Sequence, residues 1–241
     1  MKNLILTLAI AGFFRGVDAR TVLDYEIFSN NQKVGVARYI IDGNYIRGVK
    51  IYGYLGKTVI DSVTGIFDNR VMPVRTRRHE IVDLKYRGSM DYSSEAFYLP
   101  DAIQISLGSE DTVIYLDARL PIIDFDFLMF QLPHIFEKLR TGDSASFYLV
   151  FPMGKRVERC TALVGKGEMV FFSGDTIATV RIHFTRPGYK SPISVWITPE
   201  GTPIRYYDAA SGYQMFLIPK RPSSTPGHQG SRKTERDSKA E

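Results

Sequence analysis

From Arg20 to Pro219 the chain is written in a two-residue alternation broken by turn residues, and that pattern constrains the fold more than any other feature of the sequence. In Ile177–Thr185, Ala178, Val180, Ile182 and Phe184 share one side while Thr179, Arg181, His183 and Thr185 share the other. Ile193, Val195 and Ile197 likewise alternate with Ser194, Trp196 and Thr198. Such a period marks antiparallel sheet with one face on a core and the other toward solvent or a cavity. Fifteen strands are predicted: 21–29, 33–41, 45–54, 57–67, 74–82, 84–92, 102–107, 112–116, 144–150, 156–164, 168–172, 176–185, 191–198, 203–209 and 213–218. Short joints such as Ser29-Asn30-Asn31-Gln32 and Asp42-Gly43-Asn44 carry residues that enter positive φ at little cost, as tight hairpins require.

One segment departs from this period. Between Asp124 and Arg140, Leu128, Leu132, Ile135, Phe136 and Leu139 recur at helical spacing, and Gly142 follows. Pro133 inside the run predicts two short helical pieces or a kink. The expected fold class is mainly β: an antiparallel meander curled into a half-barrel or barrel, with one helix over about 124–140 covering or plugging it.

The ends read differently from this body. Met1–Ala19 has a short basic start, an apolar run from Leu4 to Phe14 and Val17-Asp18-Ala19 at a cleavage-site position. That is the layout of a signal peptide cleaved near Ala19, with periplasmic or otherwise exported localisation expected. Residues 220–241 are rich in Ser, Pro, Gly and charge without an aromatic, and are expected to form a disordered basic tail able to touch an anionic membrane surface. Residues 20–219 are expected to be a single β domain.

The formal charge of +5 suggests a nucleic-acid partner until it is located. Segment 1–19 and tail 220–241 hold most of the excess; the body carries 23 basic against 22 acidic residues. A body this close to neutral lacks the basic face of a duplex binder, so no nucleic acid is expected. Cys160 is the single cysteine, which excludes an intramolecular disulfide and reads as a small buried hydrophobe.

No zinc spacing, nucleophile elbow, phosphate loop or dinucleotide fingerprint occurs, and the expectation is a protein with no catalytic residue, metal or cofactor. Asp124 and Asp126 precede an apolar helical run and read as helix caps rather than an acid–base pair. Arg75, Arg77 and His79 fall on one face of a strand, with Arg78 between them and Lys85 and Arg87 across the next turn. They would either bind phosphate or carboxylate, or form a solvated face with Glu80 and Asp83. Tyr52, Tyr54, Tyr86 and Tyr92 sit in the early half of the sheet, where a concave aromatic surface would accept an acyl chain or stack on sugar. Phe127 and Phe130 on the helix are the corresponding candidates in a lid or plug.

The opening Leu23-Asp24-Tyr25-Glu26-Ile27-Phe28-Ser29-Asn30-Asn31-Gln32-Lys33-Val34-Gly35, the middle Asp124-Phe125-Asp126 with Leu132-Pro133 and Leu139-Arg140-Thr141-Gly142-Asp143, and the late Val195-Trp196-Ile197-Thr198-Pro199-Glu200-Gly201 resemble a family of exported bacterial proteins of unknown function. The resemblance covers most of residues 20–219. It implies a curved antiparallel sheet, or half-barrel, similar in shape to periplasmic lipoprotein carriers, and it implies no activity. The functional expectation is a non-catalytic cell-envelope protein binding an apolar or amphipathic ligand, a lipid or lipid-linked glycan, in the concave face of the sheet. The alternative is a structural or assembly protein of the envelope that holds a protein or polysaccharide partner.

Overall fold

The computed structural model describes residues 20–84, 88–117, 119–136, 138–172 and 175–219. The signal-peptide and tail readings, Lys85, Tyr86 and Arg87 lie outside the described residues. Among the described residues, fifteen strands form one sheet. The first eight are β1 (Thr21–Ser29), β2 (Gln32–Asp42), β3 (Tyr45–Tyr54), β4 (Lys57–Phe67), β5 (Pro73–Asp83), β6 (Ser89–Tyr98), β7 (Ala102–Leu107) and β8 (Glu110–Tyr115). The remaining seven are β9 (Ile122–Asp124), β10 (Ser144–Phe151), β11 (Arg156–Phe172), β12 (Asp175–Thr185), β13 (Pro192–Ile197), β14 (Pro203–Asp208) and β15 (Tyr213–Leu217).

The order β8-β7-β6-β5-β4-β3-β2-β1-β15-β14-β13-β12-β11-β10-β9 is two meanders joined where β1 pairs with β15. Every neighbour is antiparallel except the β9–β10 pair. The expected mainly-β meander is therefore what forms, as a curled open sheet. The β1–β2 hairpin turns through Asn30 (φ 48°) and Asn31 (φ 66°), two consecutive left-handed residues as in a type I′ turn.

The sheet rolls like a scroll. Ala96, Ile103 and Ile105 on the inner side of β6 and β7 pack with Val150 of β10, whose neighbours Leu149 and Phe151 point the other way into the main core. The β6–β8 flank thus overlaps the outside of β9–β10, and Lys155 bridges to Glu110 across the overlap at 2.5 Å. Inside the roll sit the alternating residues of nearly every strand, among them Tyr25, Ile46, Val63, Phe147, Phe184 and Val195.

The structure corrects four sequence-level boundaries. The helical segment is shorter than 124–140: a 3₁₀ turn (Phe125–Phe127), the one-turn helix α1 (Leu128–Gln131) and a second 3₁₀ turn (Leu132–Ile135). Pro133 sits in that last turn, and Phe136 is already extended (φ −107°, ψ 135°), so Phe136 and Leu139 reach the core from outside the helical turns. The strand placed at 84–92 is Ser89–Tyr98, because Gly88 (φ 85°) makes the turn that starts it. The strands placed at 156–164 and 168–172 are one, β11, with a register shift between Val164 and Gly167 at the Gly165-Lys166-Gly167 break. Strand β9 went unforeseen, since three residues show no period, and its parallel pairing exists only once β10 lies beside it.

At the overlap, Asp124 fastens the roll. Its carboxylate, fully buried, accepts from Thr76 Oγ1 at 2.6 Å, from the Tyr98 hydroxyl and from the Asp126 backbone N–H at 2.8 Å. Its own N–H donates to Gln131 Oε1 at 2.9 Å, and Gln131 Nε2 donates to the Val71 carbonyl at 2.9 Å. Capping thus describes Asp124 correctly, and two of the other groups it holds come from β5 and β6 on the overlapping flank.

Candidate functional site

The core does not fill the roll. Between α1 and the inner faces of β2–β5, β14 and β15 lies a cavity of about 290 Å³. Tyr52 and Tyr54 also line an adjoining, more open hollow of about 740 Å³, bounded by Val82, Met90, Tyr92, Leu107 and Met153. The two make one concavity that widens outward. Apolar walls come from Val34, Phe125, Leu128, Met129 and Met215, and five tyrosines (Tyr39, Tyr52, Tyr54, Tyr206 and Tyr213) complete them. The rings of Tyr52 and Tyr206 each meet Tyr213 edge-on, at centroid separations of 6.4 Å and 6.0 Å.

The floor carries charge. Lys50, Asp61, Arg78 and Glu80 occupy inward positions of β3, β4 and β5 where alternation otherwise places apolar residues, and pairing sets Lys50 opposite Asp61 and Asp61 opposite Glu80. Lys50 Nζ lies 2.7 Å from Asp61 Oδ2 and 3.7 Å from Asp126 Oδ1. Arg78 reaches three carboxylates: Asp61 Oδ1 at 2.9 Å, Glu80 Oε2 at 2.5 Å and Asp126 Oδ1 at 3.3 Å. Burial pushes the Asp61 carboxyl up, but the charges and hydrogen bonds of Lys50 and Arg78 outweigh burial and hold it below its ordinary value. Burial likewise opposes charge on Lys50, yet Asp61, with Tyr39 and Asp126, holds its ammonium well above the usual range. Burial raises the Tyr39 hydroxyl to about 12, so it stays protonated beside the network.

Asp124 has the opposite sign. Burial first, and then the Asp126 charge, raise its carboxyl from 3.8 to about 6. The folded protein therefore binds this proton more tightly than the unfolded chain, and stability falls as pH rises from about 4 to about 6, then levels off. Asp124→Asn keeps an acceptor for the Asp126 N–H and lacks the charge. Relative to wild type, the variant should gain on the order of 2–3 kcal/mol between pH 4 and pH 7, read by urea denaturation across that range. A constant difference between the two proteins over this range would rule out a raised carboxyl at the overlap.

The structure divides the residues singled out from sequence. Tyr52, Tyr54 and Tyr92 come together on the concavity. Phe127 and Phe130 do not line it: Phe127 packs on Phe67 at 5.1 Å and Phe130 on Tyr39 at 4.8 Å, both inside the core. Arg75, Arg77 and His79 lie on the convex face, away from the tyrosines. Arg75 and Arg77 both engage Glu95, the latter at 2.7 Å, and His79 Nε2 lies 2.7 Å from Asp91 Oδ1. Their partners are on β6 rather than at Glu80 and Asp83, because the β5–β6 register places Arg77 opposite Glu95. Arg78, one residue out of phase, turns inward and is the member of that run that reaches the floor of the concavity.

Cys160 is buried, and burial with the Glu158 charge pushes its thiol up to about 12. Burial lowers His134 to about 4. Among the described residues no three His, Cys, Asp or Glu side chains converge as metal ligands.

A curled antiparallel sheet holding a short helical plug and an open concavity defines the protein as β-barrel-like. No protein-family model matches the sequence, and no curated protein matches it. Among solved structures, the chain is similar to a β-barrel-like protein of the domain of unknown function DUF1849 from Brucella abortus, with a TM-score of 0.55 at 12% identity, covering 83% of this chain and 94% of that one. A DUF1089 family protein from Pseudomonas aeruginosa aligns with a TM-score of 0.47 at 10% identity, over 73% and 90% of the two chains.

Proposed function

We propose that this protein is an exported, non-catalytic envelope protein that takes an amphipathic ligand, a lipid or lipid-linked glycan, into the concavity of its sheet. The observation that carries the reading is the concavity itself: apolar and tyrosine walls over a small number of buried, fixed charges, the composition of a ligand pocket rather than of a packed core. A plug smaller than the space it occupies leaves the room. A segment 1–19 with signal-peptide layout would route the protein to the periplasm, where such ligands occur.

Native mass spectrometry with lipid extraction, on protein purified from envelope fractions, tests the reading. A bound species of lipid mass is the expected result, and a bare polypeptide under gentle ionisation would sink it. Tyr54, 57% exposed at the rim, offers a variant that spares the core. Tyr54→Ala should weaken binding of the recovered lipid by roughly 3- to 10-fold, the value of one aromatic contact, with an unchanged melting temperature.

A second reading, attachment to a protein or polysaccharide partner, draws on the convex face. There Val36, Ile51 and Ile60 are exposed and directly opposite one another across β2, β3 and β4. Pull-down from envelope extracts with wild type and with Ile51→Lys separates it from the first.

A further inference from the structure

The charges around the concavity do not balance, and their imbalance has a sign. Three cations line it, Lys50, Lys57 and Arg78, against four carboxylates, Asp61, Glu80, Asp126 and Asp208. Lys50 and Arg78 are already engaged, and Lys57 stands apart from them at the exposed rim. Arg78 is shared by Asp61, Glu80 and Asp126, and Lys50 by Asp61 and Asp126. An anionic head group entering here would have to displace a carboxylate from Lys50 or Arg78 and then sit among the rest. Of the carboxylates, Asp208 is held by the Ala210 N–H and the Ser211 hydroxyl at 2.9 Å and 2.8 Å, neutral donors that leave its charge uncancelled.

The walls point the same way. Aromatic rings present their negative faces to a cation, and the Tyr52 and Tyr206 rings are each set at a steep angle to Tyr213 beside this excess of carboxylate. In a recess with low-dielectric walls an unbalanced charge is focused rather than screened. The body as a whole, 23 basic against 22 acidic residues, supplies no such field, so the excess belongs to this recess.

We infer that the ligand's head group is cationic: the recess selects amphiphiles bearing an ammonium or amine over those bearing sulfate, phosphate or carboxylate. This rests on the reading of the concavity as a ligand site and adds the chemistry of the ligand's polar end.

The test uses three probes that share an octyl chain and differ at the head: octyltrimethylammonium, octyl sulfate and octyl glucoside. Each is titrated into residues 20–241 below its micelle concentration at low salt, with binding read by calorimetry and by tyrosine fluorescence. The ammonium should bind at least ten-fold more tightly than the sulfate, with the glucoside between them, and the gap should narrow as salt is raised. Glu80→Gln, which keeps an acceptor for Arg78 and removes one charge of the excess, should lower the ammonium-to-glucoside affinity ratio by about five-fold. Should that variant fail to fold, the ranking of the three heads on wild type still decides. Sulfate binding as tightly as ammonium, or more so, overturns the head-group inference and leaves the amphiphile reading standing. Saturable binding of none of the three overturns both.

Discussion

Asp61→Ala is expected to be the most damaging single substitution on the inner face, lowering the unfolding free energy by about 3–5 kcal/mol. Asp61 is fully buried and is the carboxylate that Lys50 and Arg78 share at the shortest combined distances, 2.7 Å and 2.9 Å. Removing it leaves Lys50 with Asp126 at 3.7 Å as its remaining countercharge, and Arg78 with Glu80 at 2.5 Å and Asp126 at 3.3 Å. For a domain of about 200 residues the expected loss corresponds to a melting temperature lower by roughly 6–20 °C. Replacing the pair together, Lys50→Met with Asp61→Leu, should recover much of it, because a well-packed apolar pair carries no desolvation penalty.

The pH dependence gives an independent check. Asp61 titrates below its ordinary value when folded, so its contribution is present above the unfolded value near 3.8 and is lost as pH falls through the lower folded one. Urea denaturation of wild type and variant should therefore diverge at neutral pH and converge toward pH 2. A loss below about 1 kcal/mol at pH 7, or curves that stay parallel in acid, would mean that water already screens this network.

Phe127→Ala should cost about 3–5 kcal/mol, for an unrelated reason. Its ring is fully buried between the plug and the sheet, 5.1 Å from the Phe67 centroid, and it occupies space that a glycine vacates. A Cβ on Gly65 would stand 2.6 Å from the Phe67 ring and 3.0 Å from Phe127 Cζ, so the absence of a side chain there is what admits the two phenylalanines. Truncation leaves a hole that the surrounding strands, fixed by their ladders, close only in part. The prediction separates plug from pocket: Phe127→Ala is read in stability, whereas Tyr54→Ala is read in affinity. A Phe127→Ala loss under about 1.5 kcal/mol would show that the plug is loosely held and that its position defines no cavity.

Much of this fold is legible in the residues taken one strand at a time. Period-two alternation specifies strands such as β12 and β13 because a half-buried strand must separate apolar from polar residues on its two faces. Paired Asn30 and Asn31 fix the first hairpin, since few other residues accept consecutive left-handed conformations. Pro133 announces the broken helix for an equally local reason. The site was only partly legible. Tyr52, Tyr54 and Tyr92 are legible from residue type and their place in the early half of the sheet; strand phase puts Arg75, Arg77 and His79 on one face, but that face is the convex one, and the same phase sends Arg78 to the concavity. A charge at an apolar phase was the available signal, and Asp61 between Val59 and Val63 carries it plainly.

The sequence by itself determined a curved antiparallel sheet, its hairpins and the presence of a short helical interruption, because each depends on neighbours within a few residues. Tertiary structure alone decided that the sheet overlaps itself, that β9 exists as a parallel edge, and that Asp124 ties that edge to Thr76 and Tyr98. It also decided which charges meet: Lys50 and Arg78 are 28 positions apart in the chain, Asp126 is a further 48 along, and only the register of three strands beneath a plug brings them within 4 Å of shared carboxylates. Alternation states which face a side chain takes, whereas registers and the curl of the sheet state whom it meets there.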